Sequence, residues 1–96
     1  MNERTVIAHS SVPRLAPHMR LRFDKVRKTW TIQAPERTFV LDEIAQAIVS
    51  RCDGHSQVGA IIESLATTFL DAPRDVIEKD VFTLLQNFAD TGVIQI

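Results

Sequence analysis

The apolar residues keep a period of two from Met19 to Leu41 and a period near 3.6 from Ile44 onward, so this chain of 96 residues holds a sheet-forming part followed by a helix-forming part. Met19, Leu21 and Phe23 alternate with Arg20, Arg22 and Asp24, which puts the apolar trio on one face of a strand and the arginines on the other. Residues 24–27 form a polar turn without glycine, and residues 28–33 alternate again with Trp30 and Ile32 inward, predicting a hairpin. Ala34-Pro35-Glu36 breaks the ladder because proline lacks an N–H. A short third strand over 37–41, rich in β-branched and aromatic residues, follows.

Asp42 stands where an N-cap belongs, and Ile44, Ala45, Ile48 and Val49 form a helical stripe, predicting a helix over 43–51 that Asp53-Gly54 ends. Ser56 is the expected cap of a second helix carrying Val58, Ile61, Ile62, Leu65, Ala66 and Phe69. Gly59 inside it costs about 1 kcal/mol relative to alanine and marks an expected close helix crossing. Asp71-Ala72-Pro73 opens a third helix with Val76, Ile77, Val81, Leu84, Leu85 and Phe88 on one stripe. Thr91-Gly92 stops it, and 93–96 read as a terminal strand. The expected fold is therefore α+β and winged helix-turn-helix-like: a three-stranded antiparallel sheet followed by a three-helix bundle. Residues 1–17 show no period and read as an extended arm; residues 18–96 form the single domain.

A chain this short holds one modest core and hardly also a deep substrate cavity. Its net charge of −1 conceals a bipolar distribution. Residues 1–40 carry eight Lys/Arg against three Asp/Glu, a net of +5, and residues 41–96 carry three against nine, a net of −6. Most of the positive charge falls on the hairpin. One cysteine, Cys52, excludes an internal disulfide and fits a reducing compartment, so cytoplasm is expected. No apolar run reaches the roughly 18–20 residues that span a bilayer, and no signal peptide is visible.

Catalytic groupings are poorly supported. His9, His18 and His55 read as surface residues, with no carboxylate at a spacing that fixes a tautomer. Cys52 and His55 form a C-x-x-H pair without the further ligands a closed zinc site needs. Cys52 ends a helix where positive dipole charge is absent, so it reads as a structural thiol. Asp75, Glu78 and Asp80 read as a solvated helix face, and no phosphate loop or nucleophile elbow is present.

Three short helices beside a small sheet also suggest a winged-helix DNA-binding transcription regulator, but the helices oppose it. Residues 57–69 contain no Lys or Arg, and 73–90 contain Arg74 and Lys79 against four acids. What remains is the edge of the third strand. An open edge beside an apolar groove accepts an extended peptide as an added strand, and a basic ribbon nearby favours acidic segments of that peptide. The competing occupants of that edge are residues 93–96 or a second protomer.

The ordered set Pro13-Arg14-Leu15-Ala16-Pro17, Met19-Arg20-Leu21-Arg22-Phe23-Asp24, Lys28-Thr29-Trp30, Ala34-Pro35-Glu36-Arg37, Val40-Leu41-Asp42-Glu43-Ile44-Ala45, Cys52-Asp53-Gly54, Asp80-Val81 and Gly92 resembles the PqqD family of pyrroloquinoline quinone (PQQ) biosynthesis. The resemblance runs from about Pro13 to the carboxyl end, and its specificity lies in the order of short motifs. It implies a non-catalytic, cytoplasmic peptide chaperone without a cofactor of its own, a monomer or weak homodimer binding neither nucleic acid nor membrane. Its partners would be the ribosomal precursor peptide and a radical S-adenosylmethionine enzyme that cross-links a glutamate and a tyrosine within that peptide. The family's peptide-binding edge falls on Arg37, Thr38, Phe39, Val40 and Leu41, and its groove closes around Val81, Phe82 and Leu85 of the third helix.

Overall fold

The computed structural model describes residues 5–96. Eight elements follow one another: β1 (Arg14–Leu15), β2 (Arg20–Asp24), β3 (Thr29–Gln33), β4 (Thr38–Leu41), α1 (Glu43–Ser50), α2 (Val58–Thr68), α3 (Arg74–Asp90) and β5 (Ile94–Gln95). The predicted α+β architecture is present: β2, β3 and β4 form a three-stranded antiparallel sheet in that order, and three helices follow. β1 and β5 pair separately, Arg14 opposite Gln95 and Leu15 opposite Ile94.

The β2–β3 turn lacks a glycine because other residues meet its needs. The Asp24 carboxylate accepts from the amides of Val26 (3.0 Å) and Arg27 (3.1 Å), and Lys28 takes the left-handed conformation at φ 55°. Across the strands Phe23 faces Trp30, with ring centroids 5.4 Å apart. Ile32, Leu41, Ile48, Ile61, Leu65 and Val81 meet in one core, each buried, where each such side chain stabilises the fold by roughly 1.5–3 kcal/mol.

Helix ends account for several differences from expectation. Asp42 caps α1 as expected, its Oδ1 accepting from the Ala45 amide at 2.7 Å. Ser56, by contrast, does not cap α2. It donates its hydroxyl to Asp53 Oδ2 (3.3 Å), and the N-cap is Gln57, which makes no side-chain capping bond. The arm does that work. The Val58 amide donates to the Ser11 carbonyl (2.8 Å) and the Gly59 amide to the His9 carbonyl (2.9 Å). Gly59 therefore marks close passage of the arm rather than a helix crossing; a Cβ there would sit 3.6 Å from the His9 oxygen. At the other end of α3, Gly92 (φ +79°) donates to the Ala89 carbonyl (3.2 Å) and Val93 to the Phe88 carbonyl (2.8 Å), the paired bonds of a Schellman stop.

The expected arm is thus docked over its described part. Ile7, Pro13 and Ala16 are buried, and the Ile7 amide donates to Gln86 Oε1 at 3.0 Å. His9 has the carboxylate partner that local spacing does not reveal: its Nε2 lies 2.6 Å from Glu78 Oε1, and its ring packs edge-on against Phe82. The expectation for residues 1–4 lies outside the described residues.

Candidate functional site

The terminal strand does not occupy the sheet edge. β5 pairs with β1, and among the described residues no strand other than β3 pairs with β4. Opposed residues in an antiparallel ladder alternate between pairs that exchange both backbone bonds and pairs that exchange none. The Ala34 amide donates to the Arg37 carbonyl at 2.9 Å, which sets the phase. Counting outward through the register, Phe39 bonds to Ile32 and Leu41 to Trp30, whereas Thr38 and Val40 oppose Gln33 and Thr31 without exchanging bonds. The N–H and C=O groups of Thr38 and Val40 therefore point away from the sheet, and Val40 is 63% exposed.

The other edge, β2, is open in the same sense but is guarded. Arg20 and Arg22 are exposed along it, and charge on an edge discourages strand addition. β4 reads Thr-Phe-Val-Leu, with no charge inside the strand.

Just past the carboxyl end of β4 lies an open cleft of about 400 Å³ lined by Asp42, Ile44, Ala45 and Ile48 from the cap and body of α1 and by Lys79, Asp80, Thr83, Leu84 and Asn87 from α3. It adjoins a narrower apolar recess of about 130 Å³ that shares Ile44, Ile48 and Asp80 and is backed by Leu65, Phe69, Ala72, Ile77 and Val81. Near the start of β4, Phe39 meets Phe88 of α3 edge-on, with centroids 5.8 Å apart.

Arg37, Thr38, Phe39, Val40 and Leu41 thus lie together along the edge, with Phe39 half-buried and Leu41 buried beneath it. The helical residues carried over from the resemblance divide differently. Val81 and Leu85 are 0% exposed, Val81 at the back of the narrower recess and Leu85 in the central core, and Phe82 faces His9 on the arm side of α3. Residues 80, 83, 84 and 87 are the ones spaced to form a single helical wall toward the cleft. Periodicity alone does not separate these faces, because α3 is apolar on the core side and half-polar on the cleft side. Thr83 and Asn87 were visible only as the polar residues recurring beside Leu84.

Ionisable chemistry is sparse. Among the described residues no three metal-ligating side chains cluster. Burial, then the neighbouring Asp53 charge, pushes the Cys52 thiol up to about 12, the mark of an inert structural thiol. Asp53 is held below the usual carboxylate range by the backbone amides of His55 and Ser56, which serves the turn after α1. No described helix is long and apolar enough to cross a membrane.

Fold and site together define a small α+β domain whose uncharged edge strand, lying beside a helical cleft, is of the kind that takes an extended chain as an additional strand. Residues 29–94 match the family described as Coenzyme PQQ synthesis protein D, and the chain belongs to that PqqD family. It is 44% identical over 91 residues, 95% of its length and 88% of the relative's, to a Rhodopseudomonas palustris (strain TIE-1) protein described as a PqqA binding protein. It superposes with a TM-score of 0.82, at 40% identity and covering 99% of this chain and all of the other, on the solution structure of the PqqD part of Methylobacterium extorquens PqqCD, described as a functional, stand-alone recognition element for ribosomally synthesized and post-translationally modified peptides. A second likeness, to the crystal structure of PqqD from Xanthomonas campestris, has a TM-score of 0.58 at 34% identity and covers 95% of this chain and all of the other.

Proposed function

We propose that the chain is a non-catalytic peptide chaperone of PQQ biosynthesis. It takes the ribosomal precursor peptide as an added strand on β4 and presents it to the radical S-adenosylmethionine enzyme that modifies it. The observation that carries this reading is the outward-pointing backbone of Thr38 and Val40 next to the α1–α3 cleft. Main-chain bonds at those two residues supply affinity without regard to sequence, and the cleft supplies selection by side chain. Support also comes from the relatives, whose described role is binding PqqA, and from a solved neighbour described as a recognition element.

Val40→Pro tests it. The substitution removes an N–H that bonds nothing within the sheet, so the fold survives, while the guest strand loses a donor. We expect peptide binding, followed by calorimetry, to fall at least tenfold with the far-UV spectrum unchanged. Thr31→Pro, in the central strand, unfolds the sheet and serves as the contrast. Undiminished binding by the Val40→Pro protein overturns strand addition at this edge.

A further inference from the structure

Arg37 stands at the opposite end of the strand from Asp42. Its guanidinium carbon is 4.6 Å from the centroid of the Phe39 ring, and Phe39 in turn packs against Phe88. This stack of cation, strand aromatic and helix aromatic holds a positive charge where the guest strand passes the start of β4. None of the ion pairs between described residues, His9 with Glu78, Arg27 with Asp24, and Arg74 with Glu63, involves it. A guanidinium presents a planar fork of donors suited to a carboxylate, and on Arg37 that fork is available.

The other end has the opposite character. Asp42 and Asp80 outweigh Lys79 there, around an apolar floor of Ile44, Ile48 and Leu84 that deepens into the 130 Å³ recess. A carboxylate on the guest is repelled from that end and drawn to Arg37, which fixes how the guest is placed along the edge. Positions 37, 39 and 41 share one face of β4 because side chains alternate, so the residues of the guest opposite Arg37 and Leu41 are four apart.

Resting on the strand-addition reading of this site, we infer that Arg37 is a specificity-determining residue. It selects guest segments carrying Asp or Glu across from it, with an apolar side chain four residues away that enters the cleft beside Leu41. The charge decides the register and the apolar side chain supplies the anchor.

A double-mutant cycle tests the assignment. The labelled precursor peptide, and versions with each Asp or Glu singly replaced by its amide, are titrated against the native chain, Arg37→Gln, Arg37→Lys and Val40→Pro. We expect one amide replacement to weaken binding to the native chain roughly three- to tenfold, as for a partly exposed charge-assisted pair. That replacement has no further effect on Arg37→Gln, and Arg37→Lys recovers part of the affinity. Thermal unfolding of each variant separates this from loss of the Phe39 stack, which alone would weaken all peptides equally. If every amide replacement costs the same against native and Arg37→Gln proteins while Val40→Pro still abolishes binding, the Arg37 assignment is wrong and the edge reading stands. If Val40→Pro binds normally, or the native chain binds no precursor peptide, the edge reading itself falls.

Discussion

Cys52 packs behind the end of α1, its thiol donating to the Ile48 carbonyl at 3.3 Å, in surroundings that raise its pKa to about 12. In the unfolded chain the same thiol ionises near its ordinary value of 9.0. Below that value both states hold the proton and stability is unaffected. As pH rises from about 9 toward 12 the unfolded state alone loses the proton, so stability falls by up to ~1.4 kcal/mol per pH unit. Urea unfolding at pH 8 and pH 10 should show that loss in the native protein and a smaller one in Cys52→Ala; equal slopes would mean the thiol is not buried as described. The arm offers a second test. Ile7 is buried whereas Val6 beside it is 70% exposed. Ile7→Ala should cost about 2–4 kcal/mol and Val6→Ala less than about 0.5 kcal/mol, as read from unfolding midpoints. Comparable small effects would place the arm off the body.

Among the elements, α2 depends on a segment remote in sequence. Its N-cap residue makes no side-chain bond, so its first amides rely on carbonyls of Ser11 and His9. Removing residues 1–12 should therefore loosen the amino end of α2 first, seen as faster hydrogen exchange at Val58 and Gly59 with α1 unaffected. Retained protection at both amides would contradict the capping role. β1 is fixed in the same long-range manner, by β5 on one side and a bridge from Arg14 to Asp53 on the other. None of this was legible in the chain, because two-residue strands carry no period and backbone carbonyls leave no trace in residue identity. The hairpin, β4 and the three helices were legible because their apolar residues repeat at the spacing of the structure that buries them. Asp42 was legible as a cap because a side chain does the capping.

At the scale of the whole molecule, charge and openness are separated. Arg20, Arg22, Lys25, Arg27 and Lys28 sit on the β2–β3 hairpin, while Asp75, Glu78, Asp80 and Asp90 sit on α3. On the uncharged β4 edge, outward backbone donors and acceptors end next to a partly apolar cleft. The candidate edge could be found from the proline break and the short apolar strand. Which face of α3 walls the cleft could not, because that depends on how the helix rotates as Val81 and Leu85 enter the core. Hydrogen exchange along β4, with and without the precursor peptide, tests the central claim most directly. In the free protein the amides of Thr38 and Val40 should exchange fast while those of Phe39 and Leu41 are protected, and peptide should slow Thr38 and Val40 specifically. Protection of all four before peptide is added, or peptide binding that leaves Thr38 and Val40 fast, would contradict it.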